Sequence, residues 1–395
     1  MKKRKFETEV IHSGYNAWEH QEALAPPLYQ TSTFVFQSSE QGEARFSGED
    51  PGYIYSRLGN PTVAFLEERI ATLENGERAL AFSSGMAAIS ATLIHLTRTG
   101  DHILCSSGVY GCTFGLLHML EEKYHITHDF HAMQDETSVR EAIQPHTSCI
   151  YIETPINPTM KLVDLEMVAR IANEKQIPVV VDNTFCSPYL QRPLEFGCDY
   201  VIHSATKYIG GHGDVVAGLV VGKQKAMSEL SRSTQKDIGG VLAPFNAWLL
   251  LRGLKTLPLR LDRHCENARK IASHLKQHPF VDTLFYPGDK DFPQYSLAKK
   301  QMQQPGGMIA FTIKGGKQEA QKFMNALKLI KIAVSLGDAE TLIEHPATMT
   351  HALIPRNEQR KMGITDNLLR LSVGLESWED IWRDLEKAFS IIQNQ

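Results

Sequence analysis

The sequence predicts an α/β fold, with a large domain around a mostly parallel, mixed sheet and a smaller α+β domain after it. Three observations carry that expectation. At 395 residues the chain exceeds what one ordinary core organises. Strand-like and helix-like segments alternate from Asn60 onward, the pattern that crossovers between parallel strands require. Past about residue 257 the composition shifts to charged, helix-rich stretches with few strands. The expected divisions are an N-terminal arm (1–58), a large domain (59–256) and a C-terminal small domain (257–395).

Along the arm, breakers such as Pro26-Pro27, Gly48 and Pro51-Gly52 suppress regular periodicity. Its aromatics (Tyr29, Phe34, Phe36, Phe46, Tyr53 and Tyr55) are too many for a disordered tail, so the arm is expected to be extended and packed, on a neighbouring subunit for example. Asn60-Pro61 reads as a helix cap with proline at the first position, followed by Val63, Leu66, Ile70 and Leu73 at helical spacing and ended by Gly76. Leu80-Ala81-Phe82 reads as a buried strand, and Ser83-Ser84-Gly85 opens a helix faced by Met86, Ile89, Leu93 and Leu96. Further strands are expected at 102–105, 149–153, 178–182, 200–203 and 216–221, with a helix bearing Leu165, Val168 and Ile171 between two of them. In the last part, strands are expected near 308–313 and 368–373, then a helix presenting Trp378, Ile381, Trp382, Leu385 and Phe389.

The balance of 41 basic and 45 acidic residues gives a net charge of −4 and no electrostatic case for a nucleic-acid partner. The start Met1-Lys2-Lys3-Arg4-Lys5 is read as a solvated terminus, and Phe6-Glu7-Thr8-Glu9 interrupts any signal-peptide core. No apolar run is long enough for a bilayer span. The cysteines (Cys105, Cys112, Cys149, Cys186, Cys198 and Cys265) show neither a C-x-x-C pair nor zinc spacing, so a reduced, cytoplasmic protein without a metal is expected.

Chemistry concentrates in four places. In the run from Tyr200 to Asp214, a buried strand ends in Ser204, Thr206 and Lys207 and enters a glycine-rich loop. Two hydroxyls there can share one phosphate, and a lysine against apolar walls is a better amine nucleophile because burial disfavours its ammonium form. Alone, Lys207 would read as a surface lysine. A strand from Ile177 delivers Asp182 at its carboxyl end, where open α/β sheets place ligands. That carboxylate suits a pyridine nitrogen, and equally a helix cap or a metal. Ser83 to Met86 forms a helix start able to bind an anion, or a plain strand–turn–helix. Tyr110 lies just beyond a strand, positioned to stack on a flat ring and move a proton, or to be a core tyrosine; Cys112 beside it is a candidate catalytic residue if reactive, and otherwise reads as a small buried hydrophobe. Together these supply phosphate donors, an anion for a ring nitrogen and an amine for an aldehyde.

On that set the chain resembles the Cys/Met-metabolism family of pyridoxal-phosphate enzymes. The shared residues are Tyr55-Ser56-Arg57, Asn60-Pro61-Thr62, Ser83 to Met86, Tyr110-Gly111, Glu153-Thr154-Pro155, Asn157-Pro158-Thr159, Asp182-Asn183-Thr184, Ser204 to Tyr208 and Arg370 to Gly374. The resemblance implies a fold-type I architecture and a pyridoxal 5′-phosphate carried covalently on Lys207. It further implies that Asp182 pairs with the ring nitrogen, Tyr110 stacks on the ring and Asn157 lies near the ring hydroxyl. Gly85, Met86, Ser204 and Thr206 would hold the phosphate, Tyr55 and Arg57 would reach it from an adjacent subunit, and Ser335 with Arg370 would bind the substrate carboxylate. The expected assembly is a homotetramer of dimers that share active sites. Cys112, Lys236-Asp237 and the apolar Val334 resemble the branch that cleaves methionine to methanethiol, 2-oxobutanoate and ammonia; cystathionine lyases and O-acylhomoserine sulfhydrylases are the alternatives. Tyr110 is the expected acid for the departing thiolate, with its phenol pKa lowered by nearby cations.

Overall fold

A computed structural model describes residues 4–393. Met1, Lys2 and Lys3 of the basic start, and Asn394 and Gln395 of the C-terminal division, lie outside the described residues. Seven strands form the first sheet: β1 Arg78–Phe82, β2 His102–Ser106, β3 Thr127–His131, β4 Thr147–Glu153, β5 Val179–Asp182, β6 Tyr200–Ser204 and β7 Gly218–Gly222. Their spatial order is β1-β7-β6-β5-β4-β2-β3. From β6 to β3 the neighbours run parallel, while β7 is antiparallel to both β6 and β1, so the sheet is mixed as expected. Every residue of β5 is buried, as are four of the five in β6, because helices cover both faces of parallel strands.

A second, five-stranded sheet holds β8 Val281–Phe285, β9 Met308–Ile313, β10 Lys331–Ile332, β11 Leu342–Glu344 and β12 Leu368–Ser372, in the order β10-β11-β12-β9-β8. Only β10 and β11 run parallel. The final helix, Trp378–Gln393, lays Ile381, Leu385 and Phe389 into that sheet's core, with Phe389 4.5 Å from Phe323. On the same helix Asp384 accepts hydrogen bonds from the amides of Lys328, Leu329 and Ile330 at 2.9–3.1 Å, which pins the segment leading into β10 and Ser335.

Local chemistry explains the element boundaries. Asn60 caps the helix Pro61–Leu73 through its side chain, which accepts from the Thr62 amide at 2.9 Å. That helix ends before Gly76, and the left-handed residue is Asn75, at φ 57°. Gly76 is instead needed for space: a Cβ there would sit 2.4 Å from a Val221 methyl. The first 58 residues also differ from the extended arm expected of them, since Phe6–His12 and Ser39–Ser47 are helical. In the second of these Ser38 caps one end and Gly48, left-handed at φ 84°, closes the other, so the breakers end a helix and do not prevent it. No helix of the described residues is long and apolar enough to cross a membrane.

Candidate active site

Because β4, β5 and β6 are parallel neighbours, their carboxyl ends bring Glu153, Asp182 and Ser204 to one edge. Lys207 follows three residues later. A cavity of about 260 Å³ opens at that edge, lined on one side by Gly85, Met86, Ser204 and Thr206 and on the other by Asn157, Val334 and Arg370. Lys207, Asp182 and Tyr110 also line it.

The anion-binding side is built from close backbone approach. Ser84 caps the helix Gly85–Leu96 by accepting from the Ala87 amide at 3.1 Å, which leaves the first-turn amides of that helix without intrahelical acceptors. A Cβ on Gly85 would lie 2.9 Å from the Ser204 Cβ, and one on Gly218 would lie 2.1 Å from the Ser84 carbonyl oxygen. Helix start, β6 and β7 therefore meet only because neither glycine carries a side chain. Thr206 is oriented by the residue that leads into β7: its hydroxyl oxygen accepts from the Ala217 amide at 3.0 Å.

Asp182 is buried and accepts from the Thr184 amide at 3.0 Å and the Tyr151 hydroxyl at 3.4 Å. Burial drives its pKa up, opposed by the Thr184 hydrogen bonds, the His203 charge and Tyr151. Beside it, Glu153 accepts from the Tyr110 amide at 2.9 Å, and burial followed by the Asp182 charge lifts its pKa to about 8. Two buried carboxyls on adjacent strands, held by neutral donors, are short of a cation. A protonated ring nitrogen supplies one, and with an aldehyde-seeking lysine and an anion cradle in the same cavity the residues fit pyridoxal phosphate. Behind Asp182, the imidazole of His203 meets Glu74 at 2.6 Å, both fully buried, and Asn183 donates to the same carboxylate at 3.2 Å.

Lys207 reaches the Ser335 hydroxyl at 3.4 Å. Burial first and Arg370 second hold its ammonium below the ordinary range, while Asp338 and Glu344 pull it up. Arg370, on β12 opposite Glu344 of β11, is buried. One terminal nitrogen contacts Asn157 and Glu344, each at 2.9 Å; the other donates to the carbonyls of Val334 and Ser335 at 3.2 and 3.1 Å. Its Nε is buried without a partner.

Two expectations need correction. Tyr110 lines the cavity, but its phenol pKa is raised, to about 12, by burial and then by the Cys112 side chain, with Arg370 the opposing cation. Burial strips water from part of the phenol, and the opposing charge of Arg370 does not offset that loss. Cys112 is exposed in the first turn of the helix Gly111–Tyr124, and so is not the buried hydrophobe expected. Four further residues do not line the cavity but gather on the surface. Arg57 donates to the Lys236 carbonyl at 2.7 Å and lies 5.8 Å from the Tyr55 ring, and Lys236 pairs with Asp237 at 3.3 Å.

Sequence reasoning missed Glu344, Glu153 as a cavity wall, Thr184, and the Glu74–His203 pair. Glu344 could have been sought only as a counterion for Arg370. Nothing in spacing places it opposite, because the pairing of β11 with β12 sets that contact.

A family described as "Cys/Met metabolism PLP-dependent enzyme" matches residues 7–390. An L-methionine gamma-lyase of Pseudomonas deceptionensis is 51% identical over 385 residues, 97% of this chain and 96% of the relative. A cystathionine gamma-lyase of Bacillus subtilis is 46% identical over 99% of this chain and 100% of its own. The solved cystathionine gamma-lyase of Lactobacillus plantarum, complexed with L-serine, superposes with a TM-score of 0.93 at 44% identity, covering 99% of this chain and 100% of that one.

Proposed function

The chain belongs to the Cys/Met metabolism family of pyridoxal-phosphate-dependent enzymes, and we propose that within it the reaction is α,γ-elimination of L-methionine. Methionine and water would give methanethiol, 2-oxobutanoate and ammonia. One observation carries the choice of substrate. The cavity is walled by Val334, Leu336, Val216, Phe185 and Ile89, and among the described residues the acids that line it are Glu153 and Asp182 at the strand ends. A methylthio group suits those walls. The distal ammonium of cystathionine would find no free carboxylate there.

When bound, the cofactor supplies an aldehyde for the substrate amine and a ring that stores electron density. Asp182 would sit against the ring nitrogen and favour its protonated form, and the Glu74–His203 pair holds the strand end that presents Asp182. The amides of Gly85 and Met86 and the hydroxyls of Ser204 and Thr206 grip the phosphate. Arg370, with Ser335, orients the substrate carboxylate so that the α C–H points at Lys207. Lys207, low in pKa through burial, carries the proton from the α-carbon and serves the β-carbon in turn. Tyr110 gives a proton to the departing sulfur, and Cys112, in the first turn of the helix that Tyr110 leads into, tunes that phenol. The exposed cluster of Tyr55, Arg57, Lys236 and Asp237 serves the cavity of a second copy, on which the arm through residue 58 packs, within a homotetramer in the cytoplasm. Arg57 then brings a second cation to Tyr110, beside the Arg370 of its own chain.

The test is kcat/KM on methionine against cystathionine, and on an acylhomoserine with sulfide. Methionine should lead; a clear preference for cystathionine overturns the substrate assignment and leaves the family intact.

A further inference from the structure

Away from the cavity, the edge of the seven-stranded sheet carries a second group of ligating side chains. The helix Gly111–Tyr124 ends at His125, left-handed at φ 56°, whose amide returns to the carbonyls of Glu121 and Leu120. That reversal brings β3 back along the helix, so that His128 returns beside His118 and Glu121. His118 and Glu121 are three residues apart and share one helix face. One ligand atom from each of His118, Glu121 and His128 lies within 4.8 Å of the others. The rings are held by aromatic packing. The two imidazoles meet at 4.7 Å and 82°, His118 lies edge-on to Phe114 at 4.4 Å, and Phe114 stacks on Phe130 at 5.1 Å.

The His128 side chain is only 4% exposed, and its Nδ1 has no hydrogen-bond partner. Glu121 Oε2 is 3.1 Å away, so the distance suits a hydrogen bond and the direction does not. A buried imidazole nitrogen aimed into a polar cluster, yet bonded to nothing in it, lacks a ligand.

We propose that His118, Glu121 and His128 bind one divalent transition-metal ion, of which zinc is the preferred case, with water in the fourth position. Two imidazoles and a carboxylate form a zinc-type donor set and discriminate against magnesium and calcium, which take oxygen ligands. Tetrahedral zinc with bonds of about 2.0–2.1 Å needs donors roughly 3.4 Å apart. Side-chain torsions of Glu121 and His118, both exposed, supply that closure. None of these ligands is a cysteine, and the set spans a helix and an edge strand. The ion would clamp β3, which has β2 as its only neighbour, to the helix. His118 lies eight residues from Tyr110, about 12 Å along the helix, so the ion takes no part in turnover.

The test uses full-length holoenzyme freed of metal by a chelator and titrated with Co(II), then with Zn(II). The expected result is one Co(II) per chain, with the visible bands of a four-coordinate centre, displaced by zinc. His118→Ala and Glu121→Gln alter exposed side chains, so both should fold and turn over as the parent does. Each should weaken Co(II) binding by at least the roughly 10- to 100-fold that losing an outer-shell partner costs. Holoenzyme that binds no Co(II), or binds it equally tightly in both variants, overturns the proposal; the second result would put an adventitious ion elsewhere.

Discussion

Arg370→Lys gives the sharpest test of how the substrate carboxylate is held. The guanidinium occupies four acceptors with its two terminal nitrogens: Asn157, Glu344 and the carbonyls of Val334 and Ser335. Its Nε–H is the donor left over, buried and unpartnered, and is therefore the one we propose meets the substrate carboxylate. A lysine has three donors radiating from one point and cannot replace a planar fork that serves acceptors on three sides. The substrate loses one charge-assisted hydrogen bond, worth about 1.5–3 kcal/mol. At about 1.4 kcal/mol per decade, that is roughly a 10- to 150-fold loss. The carboxylate is gripped alike in ground and transition states, so the loss belongs in KM with kcat nearly kept. Steady-state kinetics on methionine, with cofactor content checked by absorbance, reads the split. A KM within threefold of the parent, or a fall in kcat alone, refutes the reasoning.

Other perturbations test neighbouring links. Asp384→Ala removes the acceptor shared by the Lys328, Leu329 and Ile330 amides and should cost about 3 kcal/mol. With about 2.1 cal/mol/K of unfolding entropy per residue, thermal unfolding of all 395 residues together should fall by about 4 °C; a shift under 1 °C contradicts the pinning role. Glu153 has its folded pKa raised from 4.5 to about 8, so its neutral form favours the fold. That stability is complete below 4.5 and drains away as pH rises to about 8. Differential scanning of the cofactor-free protein should show the decline, and Glu153→Gln should flatten it. Arg57→Ala should move the alkaline limb of kcat/KM to higher pH, since removing a cation raises a phenol pKa; an unmoved limb would separate Arg57 from Tyr110.

Strand-end chemistry was the legible part. Ser204, Thr206, Lys207 and Asp182 stand where a short apolar run stops, and that position alone aims them at a common edge. The run Thr127–His131 was invisible as a strand because an edge strand with one apolar residue, Phe130, carries no core-facing alternation. The short β10 and β11 were equally hidden, and with them the contact between Glu344 and Arg370, which depends on the pairing register. The surface gathering of Arg57 with Lys236 spans 179 residues of chain, a separation that no local pattern encodes.

The separation of 128 residues between Lys207 and Ser335 also orders events in time. A ribosome adding about 5–20 residues per second synthesises Lys207 about 6–26 s before Ser335, and Arg370 comes later still. The residues proposed to hold the cofactor phosphate are therefore synthesised ahead of those proposed to hold the substrate carboxylate.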